Sequence, residues 1–318
     1  MNNWKTLAAV TLAATLFPEA SYALVCGQIF AVPTVVKLNA NLGPCAADGL
    51  IVQSSNVTIN LNGYRIFAGP GNVSNGIYLQ LGSTVEIGGP GEITGFKTGI
   101  RKSGIPESDH WVHKVTLTGN GTGMLFDKLV NGLIVNNVVT GGLTGIFVSE
   151  GNTMTLSGNR AAGVAGAGLK ISNSLGMIVT SNTFNSNVDG MVATTGPAGL
   201  SLRAANNTFS NNATDGARVS VTIGGGPVVL YSNTANSNGR DGLGLTGNLA
   251  TANSTARANQ TGKNGRYGIN VTNDRWRMYF NKSSLNTTLD MFWDAAGANT
   301  CFMGNTAGTW APFFLPGC

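Results

Sequence analysis

The feature that most constrains this chain is a short recurring phrase: a turn residue, a glycine, then apolar residues in alternation. Its best-kept copies are Asn75-Gly76-Ile77-Tyr78-Leu79, Thr144-Gly145-Ile146-Phe147-Val148, Asp241-Gly242-Leu243-Gly244-Leu245 and Tyr267-Gly268-Ile269-Asn270-Val271. The glycine of the phrase falls at 49, 76, 99, 123, 145, 168, 190, 216, 242 and 268, and Asp290 takes its place in an eleventh copy. Self-similarity at a period of 22 to 27 residues marks a repeat architecture. The residues after each glycine alternate with period two, which is strand periodicity and not the i, i+3, i+4 spacing of a helical repeat. The glycine itself allows either positive φ or a close backbone approach at a bend.

Each period carries a second strand-like run, such as Val57-Thr58-Ile59-Asn60-Leu61 or Met177-Ile178-Val179, followed by a polar corner. One asparagine row reads Asn137, Asn159, Asn182, Asn206, Asn233, Asn259, Asn281; a second reads Asn187, Asn212, Asn238, Asn264, Asn286. Stacked coils place equivalent residues about 4.8 Å apart. Asparagine amides at that step can bond up and down the pile, so these rows read as mechanical parts.

This pattern resembles the right-handed parallel β-helix proteins of the pectin-lyase-like superfamily, and most of all the secreted bacterial β-helix repeat proteins. The resemblance spans residues 26 to 295. It implies an all-β, single-domain, right-handed parallel β-helix (solenoid) of about 11 coils, a rod on the order of 50 Å long. Residues 26–48 are expected to form an N-terminal cap, 49–295 the repeat coils and 296–318 a C-terminal cap. Members of the superfamily include polysaccharide lyases, glycoside hydrolases, uronan epimerases and tailspike or adhesin domains. The fold does not choose among them.

Residues 1–23 read as a signal peptide: Lys5 supplies a positive start, residues 6 to 17 are apolar, and Ser21-Tyr22-Ala23 offers a cleavage site. The expected location is therefore outside the cytoplasm, extracellular or periplasmic, with residues 24–318 as the mature domain. No stretch reaches the length of a membrane-spanning helix. The four cysteines, Cys26, Cys45, Cys301 and Cys318, form one pair near each end of the chain. A rod keeps its ends apart, so disulfides Cys26–Cys45 and Cys301–Cys318 are expected, pinning caps over exposed strand edges.

Down the stack, the second position after each glycine reads Ile51, Tyr78, Arg101, Leu125, Phe147, Lys170, Val192, Arg218, Gly244, Asn270, Phe292. It is expected to face solvent, setting aromatics among cations on one outer sheet. Aromatic faces stack on sugar rings and cations pair with carboxylates, so this row suits an acidic polysaccharide. Tyr78, Lys102, Asp127, Lys128, Phe147 and Glu150 are the expected substrate-binding residues. If the protein is an enzyme (a polysaccharide lyase, glycoside hydrolase or uronan epimerase), Arg101, His110, His113, Lys170 and Arg218 are the acid–base candidates. Both histidines lie in an irregular excursion, Ser103 to His110 and beyond, that interrupts one coil. No cofactor is expected, with Ca²⁺ left open: a calcium-binding cluster of acids is not evident, and two histidines without a third ligand make no metal site. The net charge of +5 is spread along the chain, which gives no nucleic-acid footprint. The alternative reading is a non-catalytic envelope or cell-surface module whose repeat supplies rigidity and a display face.

Overall fold

The computed structural model describes residues 24–194, 199–221, 226–247, 254–273, 276–294 and 301–311. All regular structure there is strand, and every ladder is parallel. A 13-stranded first sheet holds the glycine phrases: eleven repeat strands, from Leu50–Val52 to Leu289–Trp293, flanked by Gln28–Phe30 at one end and Trp310–Ala311 at the other. A 12-stranded second sheet carries the second run of each coil. A third face is built from a seven-stranded and a four-stranded segment. The result is a parallel β-solenoid of about 11 coils, as the repeat implies.

Its core is a continuous apolar column. Ile77, Ile100, Met124, Ile146, Leu169 and Met191 stack in register from the first sheet, and Ile87, Val112, Ile134, Leu156 and Val179 from the second; all are fully buried. The glycine of the phrase is explained by close approach and not by positive φ. A Cβ on Gly145 would lie 2.2 Å from the carbonyl oxygen of Gly168 and 2.8 Å from the Cβ of Ala161. The positive-φ places belong instead to corner residues, including Lys128, Glu150 and Asn173, which follow the first-sheet strands.

Both asparagine ladders form. In the first, the Oδ1 of Asn182 accepts the backbone N–H of Asn159 (2.8 Å) and its Nδ2–H (3.0 Å), while the Nδ2 of Asn182 donates to Leu156 O (2.9 Å). The same motif runs from Asn137 to Asn305. One rung differs from the sequence reading: Asn207, not Asn206, is in the ladder, and Asn206 supplies the left-handed corner at φ 56°. The second ladder, Asn187 to Asn286, is as read.

Cys26 and Cys45 are disulfide-bonded across 19 residues, a closure typically contributing about 3 kcal/mol. The expected Cys301–Cys318 bond lies outside the described residues, as do the signal segment 1–23 and Phe313 and Phe314 at the C-terminus. Trp276 is a fully buried core residue of the second sheet.

Candidate functional site

The first sheet sets the expected row in register: Ile51, Tyr78, Arg101, Leu125, Phe147, Lys170, Val192, Arg218, Gly244, Asn270 and Phe292 are successive partners. Neighbours on either side in each strand point into the core, so this row faces out. Within it, one local arrangement occurs twice. The Arg101 guanidinium lies over the Tyr78 ring at 5.6 Å, and the Lys170 ammonium lies over the Phe147 ring at 4.8 Å. In both, the cation sits one coil beyond the aromatic. The two pairs are three coils apart, about 14 Å at the strand spacing. Tyr78 is further held by a 3.3 Å hydrogen bond between its hydroxyl and that of Ser103.

Arg218 shares the row but not this character. Asp189 stands 3.5 Å and Asp215 3.9 Å from its guanidinium. Asp189, Asp215 and Asp241, each directly before a repeat glycine, build a charged ladder. Asp215 accepts the backbone N–H of Asp241 (3.2 Å), the Nε of Arg240 (2.7 Å) and a second Arg240 nitrogen. Asp241 takes Arg266 in the same fork and also accepts from the Asn270 amide at 2.8 Å. The hydrogen bonds that Arg240 and Arg266 donate to Asp215 and Asp241 raise the pKa values of both guanidinium groups. Arg266 also covers the Tyr267 ring (4.8 Å), which stacks on Phe292 at 4.8 Å. Arg218 is thus a member of an ion-pair network with two carboxylates beside it, not an isolated base. The sequence did carry a signal for this: an Arg-Asp pair at 240–241, with Asp215 and Arg266 about one coil to either side.

Three other expected residues leave the outer face. Lys102 is fully buried, with Leu79 and Phe126 as register partners, because the third position after the glycine points inward in every coil. His110 is fully buried as well. The excursion is not a projecting loop: Glu107–Ser108 pairs with Leu129–Val130, and Asp109, at φ 64°, turns the chain so that His110 enters the interior. His113 lies on the second sheet, stacked on Trp111 (4.0 Å) and bonded to Glu86 (2.9 Å). The two histidines and Arg101 therefore do not converge.

Asp127 ends its strand opposite Ser149, while Glu150 stands at the next corner with Lys128 at 3.9 Å. The Lys128–Glu150 ion pair is exposed on both sides. On the third face, Asn236, Gln260, Lys263, Lys282 and Ser284 line a polar groove of about 450 Å³ that the sequence reading did not identify.

The NosD family model, described as "Periplasmic copper-binding protein (NosD)", matches residues 46–222, more than half of the chain. The chain belongs to that family. Among solved structures it is similar to the A-module of the mannuronan C-5 epimerase AlgE6 of Azotobacter vinelandii: 15% identity, 90% of this chain and 91% of that one, TM-score 0.59. It is also similar to a double mutant of the periplasmic alginate epimerase AlgG, with 12% identity, 87% and 78% coverage and a TM-score of 0.63. A double mutant of the tailspike protein of E. coli bacteriophage HK620 matches at 9% identity over 88% of this chain and 60% of that one, with a TM-score of 0.60. At these identities the likeness is one of fold. No curated protein matches the chain.

The family description names copper, and the described donors do not fit a copper ion. Among the described residues no three of His, Cys, Asp and Glu stand where they could share a metal. Cys26 and Cys45 are oxidised, Met124, Met154, Met177, Met191, Met278 and Met291 are packed in the core, Met303 stands exposed on the second sheet, His113 is paired with Glu86, and His110 shares Glu107 with the Lys102 amine.

Proposed function

We propose that this chain is an exported, envelope-associated protein that binds an acidic polysaccharide along the outer face of its first sheet. The observation that carries the reading is the repeated aromatic–cation pair, Tyr78/Arg101 and Phe147/Lys170, set in one row. An aromatic ring offers a face to a sugar ring, and the adjacent cation offers a partner to its carboxylate. A row with a fixed coil-to-coil step suits a linear polymer better than a single small molecule. Export is supported by the signal-like segment 1–23 and by the family's description as periplasmic. An acidic polymer is supported by the alginate epimerases that share the fold.

The proposal is for binding first. Epimerisation or β-elimination needs a base beside the sugar's acidic carbon. Arg101 and Lys170 are the remaining candidates in the row, now that His110 is interior, His113 is on another sheet and Arg218 is held by carboxylates. The test is affinity electrophoresis of the mature, oxidised protein in gels carrying a uronan or a neutral glucan, at low and high salt. Retardation by the uronan alone, weakened by salt, is expected. Equal retardation by both polymers, or by neither, overturns the reading. Fragments or altered uronates recovered from the gel polymer would add catalysis to binding.

A further inference from the structure

Lys102 is a charged residue in an apolar row, and what surrounds it is specific. Its Nζ stands 3.4 Å from Oε2 of Glu107, and the Nε2 of His110 stands 3.6 Å from that same oxygen. The Lys102 and His110 side chains are 0% exposed and that of Glu107 5%. Lys102 Nζ is anchored on the carbonyl oxygen of Ile105 at 2.8 Å. Neither oxygen of Glu107 makes a hydrogen bond, nor does Nε2 of His110. A well-made buried ion pair closes to about 2.7–2.9 Å and satisfies its remaining lone pairs, because burying charges without such bonds is costly. This cluster does neither. It does assemble, away from water, an amine, a carboxyl group and a proton carrier.

We infer that Lys102 and Glu107 are joined by an isopeptide bond that forms within the folded chain. The ion pair and the neutral pair hold the same protons, so the reaction starts when one proton passes from Nζ to Oε2, the nearer carboxylate oxygen. The Nζ lone pair attacks Cδ of Glu107; the N–C bond forms as the C=O π pair moves onto oxygen. Nζ then releases a second proton. Val85 N–H donates to Nδ1 of His110 at 3.3 Å, which leaves the neutral ring's own proton on Nε2, facing Oε2. Nε2 protonates the departing oxygen and the ring recovers the proton lost by Nζ. The Cδ–Oε2 bond breaks and one water leaves. Nothing is oxidised or reduced and no co-reactant is needed. The product exchanges two buried charges for a neutral amide whose remaining N–H faces the Ile105 carbonyl. It would lock the excursion to the strand that carries Arg101.

The test is the intact mass of the mature, reduced, denatured protein, followed by a tryptic digest. The expected result is a mass one water below that of the sequence, with a branched peptide joining Lys102 to Glu107. Lys102→Met, whose side chain suits the Leu79/Phe126 row, should show the full mass; His110→Phe should reach the reduced mass more slowly after refolding. A wild-type protein at full mass overturns the inference, as does a deficit that persists in Lys102→Met. If Lys102→Met fails to fold, the wild-type digest decides alone.

Discussion

Replacing one rung of the first asparagine ladder should destabilise the solenoid far more than its size suggests. Asn182→Leu keeps the branching and heavy-atom count of the side chain and keeps water out, while it removes every hydrogen bond the amide makes and adds some bulk. The Oδ1 of Asn182 is the acceptor of the Asn159 N–H, and its Nδ2 donates to the Leu156 carbonyl. Both partners are buried, and each is orphaned at about 1–3 kcal/mol. The Asn159 amide keeps its bond to Ile134 O (2.7 Å), and the Asn207 Oδ1 keeps the backbone N–H of residue 182 (2.9 Å), so neither adds a full penalty. The sum is about 2–6 kcal/mol, a large share of a typical domain's stability of about 5–15 kcal/mol. The assay is urea unfolding followed by circular dichroism, with the exposed Asn152→Ala as control, expected within about 0.5 kcal/mol of wild type. An Asn182→Leu protein as stable as the control would refute the claim that this ladder holds the coils.

Other predictions follow from the same geometry. Gly145→Ala forces a Cβ against Gly168 O and Ala161, so it should cost about 2 kcal/mol or more by the same unfolding assay. Arg240→Lys keeps the charge but loses the fork onto Asp215, and a loss of about 0.5–1.5 kcal/mol is expected. Because Asp215 raises the Arg240 pKa, that contribution is complete below the guanidinium's ordinary value and is lost only as pH rises through the raised one; the Arg240→Lys deficit should therefore be the same at pH 7 and pH 9. Phe147→Ala removes one ring from the row and should weaken uronan binding roughly 3- to 10-fold, equivalent to about 0.5–1.5 kcal/mol, with little change in unfolding midpoint.

Much of this was legible in the chain itself, for a physical reason. A period of two within the strand and a period of one coil between strands together fix which side chains share a row, and the Tyr78-to-Phe292 row follows from counting alone. Counting alone would have turned Lys102 inward, at the third position after Gly99, yet it was expected among the outer binding residues. Its charge argued for solvent, and the structure resolves the conflict with partners, Glu107 and His110, supplied by the excursion. That excursion was illegible because its strand, Glu107–Ser108, is only two residues long and depends on pairing with Leu129–Val130. The slip from Asn207 to Asn206 has a similar origin. Adjacent asparagines are equally suited to a ladder and to a left-handed corner, and only the stacking chooses between them. The Asp–Arg forks were missed although their partners lie about one coil apart, because an aspartate directly before a glycine also suits a turn.

The central claim is that the first sheet's outer row recognises an acidic polysaccharide. Its most direct test is calorimetric titration of a uronan oligosaccharide into the wild type and into Arg101→Ala/Lys170→Ala, with the unfolding midpoints of both proteins measured alongside. The account predicts salt-sensitive binding by the wild type and a loss of tenfold or more in the double variant at unchanged midpoint. Equal affinity in the two proteins would contradict it, and would move attention to the Lys263/Lys282 groove on the third face.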